Sequence, residues 1–474
     1  TPLVYSFIFG CVVLLVFGVW DDAKELGHYV KFVGQFVAVI AVVYFGDLYV
    51  AHFPYIGLET LPESIGKPFT VIALVGVINA LNHSDGLDGL AGGESLLSFG
   101  AVAYLAYLYG GLNVMIIACA MIGGIFGFLR FNSHPARVFM GDGGSQVLGF
   151  SLGVVVVLLT QEVNPVLSPA LPLLLIGLPV IDILAVFFLR AKGGMNLFRA
   201  TKNHIHHRLL ELGFHHYESV MIIYSVQAFF VLCAILLPYE SDILITALYL
   251  LVSALVFISL TIAERRGYCL HRTSRAAQNS IALPALLSDK RLLALPMQVL
   301  QTGVSIFLIG AALTAAEVPK DIAFSAILLL MIIATLVLVP PLANLFLLRL
   351  VTYVSIGFAV YLSTSYPPFW LVEQRYLVFL YFAVLVAAGF LAVRMSPETS
   401  FQISPLDLLV VIVAIFISII SDDIERSALT WMALQMIALF YAIELILQRV
   451  KSMRNRVSGT MLAMLSLIAA RGLL

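Results

Sequence analysis

NALNHSDGLDGLA, residues 79–91, sets two amides and two carboxylates at the end of an apolar run in a chain that is 61% hydrophobic. Carboxylates at the edge of a bilayer are costly, so a cluster of them marks a functional site. The polar residues fall at 79, 82, 85 and 88. On an α-helix each step of three lags by about 60°, which would point Asn79 and Asp88 to opposite faces. Either the segment tightens towards a 3₁₀ turn, or the helix breaks at Gly86 and Gly89. The break is the expectation, because it frees Asp85 and Asp88 to converge on a ligand. A plain polar helix end with glycine caps is the bland alternative, and it requires fewer polar groups than stand here.

Working outward, the whole chain has the same character. Its mean hydropathy is +1.03. Only 11% of its residues are charged, where a soluble domain has roughly a quarter. Apolar runs of about twenty residues, the length a helix needs to cross the hydrocarbon core, recur near 3–20, 30–50, 69–82, 95–109, 112–129, 146–160, 170–189, 219–238 and 241–263. A second set follows near 297–315, 322–339, 342–364, 376–393, 405–421 and 428–447. The fold class expected is an all-α polytopic membrane protein with roughly fifteen transmembrane helices. The tail 458–474 reads as a partial span or a helix lying flat on the membrane.

Charge orients this array. With the Asp21-Asp22 loop placed in the cytoplasm, Lys67, Lys320, Arg375 and Arg426 fall outside and Arg349 and Arg471 stay unassigned. The rest of the 26 Lys and Arg lie inside, as the positive-inside rule requires. Every histidine except His52 faces the same side, as do Asp21, Asp22, Asp85, Asp88 and Asp142. One site assembled from several loops at the cytoplasmic face is the expectation. With Thr1 first and Asp21-Asp22 after a single span, the chain reads as truncated at its N-terminus. Cys11, Cys119, Cys233 and Cys269 lack paired spacing and read as packing rather than as disulfides or thiolate ligands. The polar, Arg- and Lys-rich stretch 264–296 divides the chain into a front part, 1–263, and a back part, 297–474. Every chemical cluster lies in the front part.

Three clusters join the first. Asp21 and Asp22 end the first span; they can touch a hard cation or take a proton, or simply solvate a helix end. Lys31 and Gln35, one turn apart, can hold a phosphate oxygen, and Lys31 reads equally as a snorkelling anchor. FMGDGGS, residues 139–145, offers Asp142 to a metal and the Gly143-Gly144 turn to a phosphate. Just before it, Asn132, Arg137 and a proline-fixed turn suit a polar ligand. HIHHRL, residues 204–209, is too crowded for three zinc ligands from one helix. Hydrogen bonds from His204, His206, His207 and Arg208 to a diphosphate fit better, the bland reading being a solvated basic loop. Asp182 is a lone acid inside a span, either lining the site or pairing with a neighbouring helix.

Taken in order, DDAKEL (21–26), NALNHSDGLDGLAGG (79–93), FNSHPARVFMGDGGS (131–145) and NHIHHRLLELGF (203–214) resemble the polyprenyl-phosphate N-acetylhexosamine-1-phosphate transferase family. The resemblance covers about residues 1–263, and the histidine run is similar to the branch acting on UDP-N-acetylglucosamine or related N-acetyl sugars. It implies a multi-helical enzyme of the bacterial cytoplasmic membrane that needs Mg²⁺, or Mn²⁺ in its place. Such an enzyme moves a sugar-1-phosphate from a UDP-N-acetyl sugar to undecaprenyl phosphate, releases UMP and opens a cell-surface polysaccharide pathway. It further implies catalytic roles for Asp21, Asp22, Asp85 and Asp88, and metal ligation by Asp142 with Asp22. Substrate binding falls to Lys31, Asn79, Asn82, Asn132, His204, His206, His207 and Arg208. The lipid bilayer is the expected environment, a homodimer is left open and no nucleic acid is expected. Three departures stand out: no basic-proline segment before the first span, Thr201 where an acid is common, and a back part without counterpart.

The chemistry suits the residues. Both reactants are anions, and each unit-charge pair at contact costs about 4 kcal/mol at an effective dielectric near 20. A divalent ion with imidazole and Lys or Arg donors offsets that repulsion. A lipid phosphate with a second pKa of about 6 is already largely ionised, so Asp21 can position or deprotonate it. A covalent aspartyl-phosphate route stays open. The rival class is a polytopic transporter or flippase of anionic or lipid-linked substrates, whose acids should lie near the midplane on interrupted helices.

Overall fold

A computed structural model describes residues 2–24, 27–53, 60–194, 203–270, 290–338, 345–394, 424–449 and 453–473. The expected span at 405–421, most of the stretch 264–296, and Arg199, Thr201, Lys202 and His271 lie outside the described residues. All regular structure among the described residues is helical, and they divide into two compact units, one built from the elements up to Arg265 and one from those starting at Lys290.

In the first unit the order is α1 (Pro2–Lys24), α2 (His28–Ile40), α3 (Glu63–Ser84), α4 (Leu90–Leu108), α5 (Leu112–Asn132), α6 (Gly141–Leu158), α7 (Pro172–Leu175), α8 (Gly177–Lys192), α9 (Ile205–Glu211), α10 (His216–Leu236) and α11 (Asp242–Arg265). α6 is the hub. Glycine and serine dominate its first half and valine its second, so neighbours approach closely, and nearly every residue from Gly143 to Leu158 is buried. α1, α3 and α4 pack around it. α1 turns Tyr5, Ile8, Phe9, Val12, Val16 and Val19 outward, the lipid-facing surface of a membrane helix.

Seven described helices are long and apolar enough to cross a membrane: Pro2–Lys24, Glu63–Ser84, Leu112–Asn132, Gly141–Val163, His216–Leu236, Asp242–Arg265 and Leu295–Thr314. Five shorter apolar helices accompany them. This is a polytopic membrane protein. Two of the expected spans differ in form. The run 30–50 stops being helical at Phe45, where α2 passes into a π-turn (Ala41–Phe45). The run 170–189 is interrupted at Ile176, where α7 gives way to α8.

The break expected at 85–89 is present. α3 ends at Ser84, α4 begins at Leu90, and the five residues between form a turn.

The second unit contains α12 (Lys290–Thr314), α13 (Lys320–Leu338), α14 (Leu345–Ser365), α15 (Phe369–Glu373), α16 (Arg375–Arg394), α17 (Ile424–Arg449) and α18 (Met453–Leu473). Leu300, Leu308, Ile356, Leu439, Met461 and Leu465 are in its core. The tail helix α18 packs inside this unit against α13 and α12. Its Arg471 donates to the carbonyls of Ala312, Leu313 and Ala315 and so closes the end of α12.

Candidate active site

α1 meets the start of α6 so closely at Gly18 that a methyl group there would run into the backbone of Gly143. That approach carries Asp21 and Asp22 to Asp142. Asp22 accepts the N–H groups of Asp142 (2.9 Å) and Gly143 (3.4 Å). α6 has no cap of its own at this end, so a carboxylate from another helix satisfies its first donors and complements its positive pole.

Lys31 on α2 bridges the other two acids, with Nζ 2.6 Å from Asp21 Oδ2 and 2.5 Å from Asp142 Oδ2. Asn82 on α3 donates to Asp142 Oδ1 (3.0 Å) and to Ser145 Oγ (2.8 Å). Oxygens of Asp21, Asp22 and Asp142 lie within 4.8 Å of one another. Asp21 is only 6% exposed, and its Oδ1 is buried without a hydrogen-bond partner. Three converging carboxylates, one with an orphaned oxygen, form an all-oxygen donor set that fits a hard dication such as Mg²⁺.

Behind this triad stands an amide ladder. Gln35 donates to Gln146 Oε1 (3.2 Å), and Asn79 donates to Gln35 Oε1 (2.8 Å) and the Val75 carbonyl (2.8 Å). Asn79 therefore supports α2 and α6 one turn below the acids.

The turn after α3 sends its two acids to different places. Asp85 lies within the field of the triad. Burial, reinforced by the charges of Asp142, Asp88 and Asp22, pushes its carboxyl up to about 6. Asp88 faces away, with Oδ2 2.7 Å from His134 Nδ1 and accepting the Ala136 N–H at 3.0 Å. Burial works to raise its pKa, but the Ala136 and His134 contacts outweigh it and hold the carboxyl below the usual range. His216 Nε2 lies 3.3 Å from the Asp88 carbonyl, and the His134 and His216 rings stack at 4.2 Å and 22°. Asp88, His134 and His216 also bring ligand-type atoms together. Near-parallel imidazoles, however, aim their in-plane nitrogens along nearly parallel planes, a poor geometry for one ion. Asn132 holds this turn from below: it accepts the Gly89 N–H (2.8 Å) and donates to the Val138 carbonyl (2.8 Å). Tyr224 donates to the Gly89 carbonyl.

The histidine segment is pinned by Asp182. Its Oδ2 is 2.7 Å from His204 Nδ1, and its Oδ1 accepts the Ile205 N–H at 2.9 Å, capping the short α9. The acid that the sequence left open is thus the anchor of this loop. His83, His204, His206 and His207 form a row of rings at 5.4, 5.7 and 4.2 Å centroid spacing. His206 presses against Gly86, where any side chain would collide with its imidazole. Burial, assisted by His207, pushes His206 down to about 4, so it is a neutral hydrogen-bonding group at pH 7. Arg208 is differently engaged. Its Nε and Nη2 donate to Glu264 at 2.7 and 2.9 Å, and Nη2 also donates to Thr261. The guanidinium expected at a diphosphate is a strut between α9 and α11.

Sequence reading passed over two neighbours of the site. Glu94, 2% exposed, accepts from Ser84 beneath the turn; an acid inside the apolar run LAGGESLLSF was its signal. Arg190, 4% exposed at the end of α8, lines a cavity of about 820 Å³ with Lys31, Asn82 and His83. That cavity continues along α3, α6 and α8 past Ile72, Gly153 and Val157 to Thr160 and Gln161, and its walls are mostly apolar. Along α3 the lining from Asn82 to Phe69 spans about 20 Å of helix.

The description of glycosyl transferase family 4 matches residues 4–160. A probable undecaprenyl-phosphate N-acetylglucosaminyl 1-phosphate transferase of Bacillus subtilis (strain 168) is 32% identical over 263 residues, covering 54% of this chain and 72% of that protein. The undecaprenyl-phosphate alpha-N-acetylglucosaminyl 1-phosphate transferase of Escherichia coli O157:H7 is 30% identical over 283 residues, 58% of this chain and 74% of that protein. A phospho-N-acetylmuramoyl-pentapeptide-transferase of Listeria monocytogenes serovar 1/2a is 39% identical over 188 residues, 38% of this chain and 56% of its own length. All three matches are to enzymes that transfer a phosphorylated sugar. The chain belongs to the polyprenyl-phosphate N-acetylhexosamine-1-phosphate transferase family.

Proposed function

We propose that this protein transfers an N-acetylhexosamine-1-phosphate, N-acetylglucosamine-1-phosphate in first place, from a UDP-sugar to undecaprenyl phosphate at the cytoplasmic face of a bacterial inner membrane. The observation that carries the reading is an apolar cavity whose polar end is lined by Lys31 and Asn82, both bonded to acids of the triad. An anionic head can meet Lys31 and Asn82 while its hydrocarbon chain lies along about 20 Å of cavity wall on α3, about two thirds of a hydrocarbon core of about 30 Å. Membrane lipid with a phosphate head has that shape, and the two undecaprenyl-phosphate transferases named above use such a lipid.

In the reaction, an oxygen of the lipid phosphate bonds to the sugar-bearing phosphorus of the UDP-sugar. The bond from that phosphorus to the bridging oxygen breaks, and UMP leaves with the electron pair. Mg²⁺, held by Asp142, Asp22 and Asp21, would supply charge neutralisation at the two phosphates. Lys31 steadies the attacking phosphate, and Asp85, ionised at pH 7 although its pKa is raised to about 6, can accept a proton at the nucleophile's edge. His204, His206 and His207 offer imidazole donors to the diphosphate, oriented through Asp182. The Asp88 turn with His134 and His216 is read as the edge that meets the nucleotide. The front unit carries catalysis, and the back unit is accessory to it. Product sugar-diphospholipid would open a cell-surface polysaccharide pathway.

The test is a radiolabel assay on the purified chain in detergent, with undecaprenyl phosphate, a panel of UDP-sugars, and Mg²⁺ or chelator. Lipid-linked product and UMP should appear together, with a UDP-N-acetyl sugar and only with the dication. Product formation unaffected by chelator would reject the metal assignment, and no product with any UDP-sugar would reject the donor.

A further inference from the structure

Lys31 sits where a cation is needed and also where the acceptor arrives. Its ammonium bridges Asp21 and Asp142, using oxygens that a dication in the same triad would need. One unit charge stands against three carboxylates, and Asp21 Oδ1 is left buried without a partner. The lysine engages two of the three acids. Its stem rises from α2 beside the apolar cavity, which it lines, and the side chain keeps 28% exposure. A flexible four-carbon stem lets the ammonium swing from the acids to the cavity mouth, since Lys is a compact charge with rotatable donors.

We propose that Lys31 holds the place of the dication in the resting enzyme and, once displaced by it, becomes the cation that binds the acceptor's phosphate. The inference rests on the metal reading above. It makes two statements about this chain. Lys31 weakens dication binding, because the ammonium must first leave Asp21 and Asp142. Dication binding strengthens acceptor binding, because it releases Lys31. Acceptor phosphate and metal therefore enter in a coupled order, and an acceptor without a phosphate should be indifferent to the metal.

The experiment uses the full chain in detergent. Mn²⁺ binding is followed by electron paramagnetic resonance for wild type, Lys31→Gln, Lys31→Arg and Asp142→Asn. Binding of undecaprenyl phosphate and of undecaprenol is measured with and without Mg²⁺. Lys31→Gln should bind Mn²⁺ about tenfold tighter than wild type or better, while Lys31→Arg stays near wild type because a competing cation remains. Mg²⁺ should tighten undecaprenyl phosphate binding about tenfold more in wild type than in Lys31→Gln, where only the dication's direct attraction remains, and leave undecaprenol unchanged. If Lys31→Gln fails to fold, Lys31→Met carries the same comparison. Mn²⁺ bound no tighter by Lys31→Gln, with Asp142→Asn still losing it, overturns the placeholder and leaves the metal reading standing. An Mg²⁺ gain in acceptor binding as large in Lys31→Gln as in wild type overturns the handover. Mn²⁺ binding indifferent to Asp142→Asn removes the metal reading and this inference with it.

Discussion

The two units bury different things. Among the described residues the front unit buries Asp21, Glu94, Asp182, Arg190, His204, His206 and Arg208, each at or beside the site. The back unit buries Thr352, Ser355, Gln435 and Ser458, none of them charged. Buried charge is costly unless it is paired, and a core can do without it. The front unit therefore holds a buried and largely paired charge network centred on the candidate site, whereas the back unit is packed chiefly as apolar helices. Removing a charge should accordingly cost activity in the front and little in the back.

The largest effect is expected at Asp142. Its carboxylate accepts from Lys31 and Asn82, and its backbone N–H donates to Asp22. Asp142→Asn keeps the shape and removes a ligand charge, so transfer should fall about 10³-fold or more. Initial rates with saturating Mg²⁺ measure it. Near-normal turnover in this variant would take the triad out of the chemistry.

Asp85 tests the stability cost directly. Its carboxyl titrates at about 6 in the fold against an ordinary 3.8, mainly through burial. Proton binding thus favours the folded state: this stabilisation is complete below pH 3.8 and is lost as pH rises through about 6. At pH 7 the ionised Asp85 is a liability of about 1–3 kcal/mol. Asp85→Asn should raise the melting temperature at pH 7 and leave it unchanged near pH 4, while cutting transfer about 100-fold. Wild-type activity should fall as pH drops through 6, and His206, neutral above about 4, should add no limb there. An Asp85→Asn protein less stable than wild type at pH 7 would contradict the burial argument.

Asp182 comes next. Asp182→Asn loses the charge that orients His204 while the amide oxygen can still accept the Ile205 N–H. A histidine row displaced by about 1 Å would lower kcat roughly 10- to 100-fold. Full kcat with Asp182→Asn would mean that the row stands without its anchor.

These residues differ in how well the sequence announces them, and the reason is range. Asp21, Asp22, Asp85, Asp88 and Asp142 stand out because a charge in an apolar chain has no cheap explanation. The break before Leu90 was legible because two glycines and a mis-phased row of polar groups fall within the eleven residues 79–89. Asp182 was ambiguous because its partners, His204 and Ile205, lie more than twenty residues on. Arg208 looked like a ligand because Glu264, its bidentate partner, is 56 residues away. Asn132 drew notice for the right neighbourhood, yet both its amide groups hold backbone. The interruption at Ile176 hides in a hydrophobic run because hydropathy measures composition, and a run keeps its score when its helix is broken. Local chemistry was readable; pairing across helices was not.

The smallest effect is expected in the back unit, at Glu444 on α17. This acid accepts a hydrogen bond from Tyr353 on α14 at 2.8 Å, and of the described back-unit side chains it most resembles a front-unit site residue. An acid among apolar helices is a functional candidate by default, so it is the fair place to challenge the division. Glu444→Gln retains an oxygen that can accept from Tyr353, and the exchange should alter stability by about 1 kcal/mol or less. If the back unit is accessory to transfer, kcat and both KM values should stay within about twofold of wild type, a change below 0.5 kcal/mol. A loss of kcat on the scale expected for Asp182→Asn, with an unchanged melting temperature, would place a working charge in the back unit. The contrast between the units would then be one of packing alone, and catalysis would have to be sought in both.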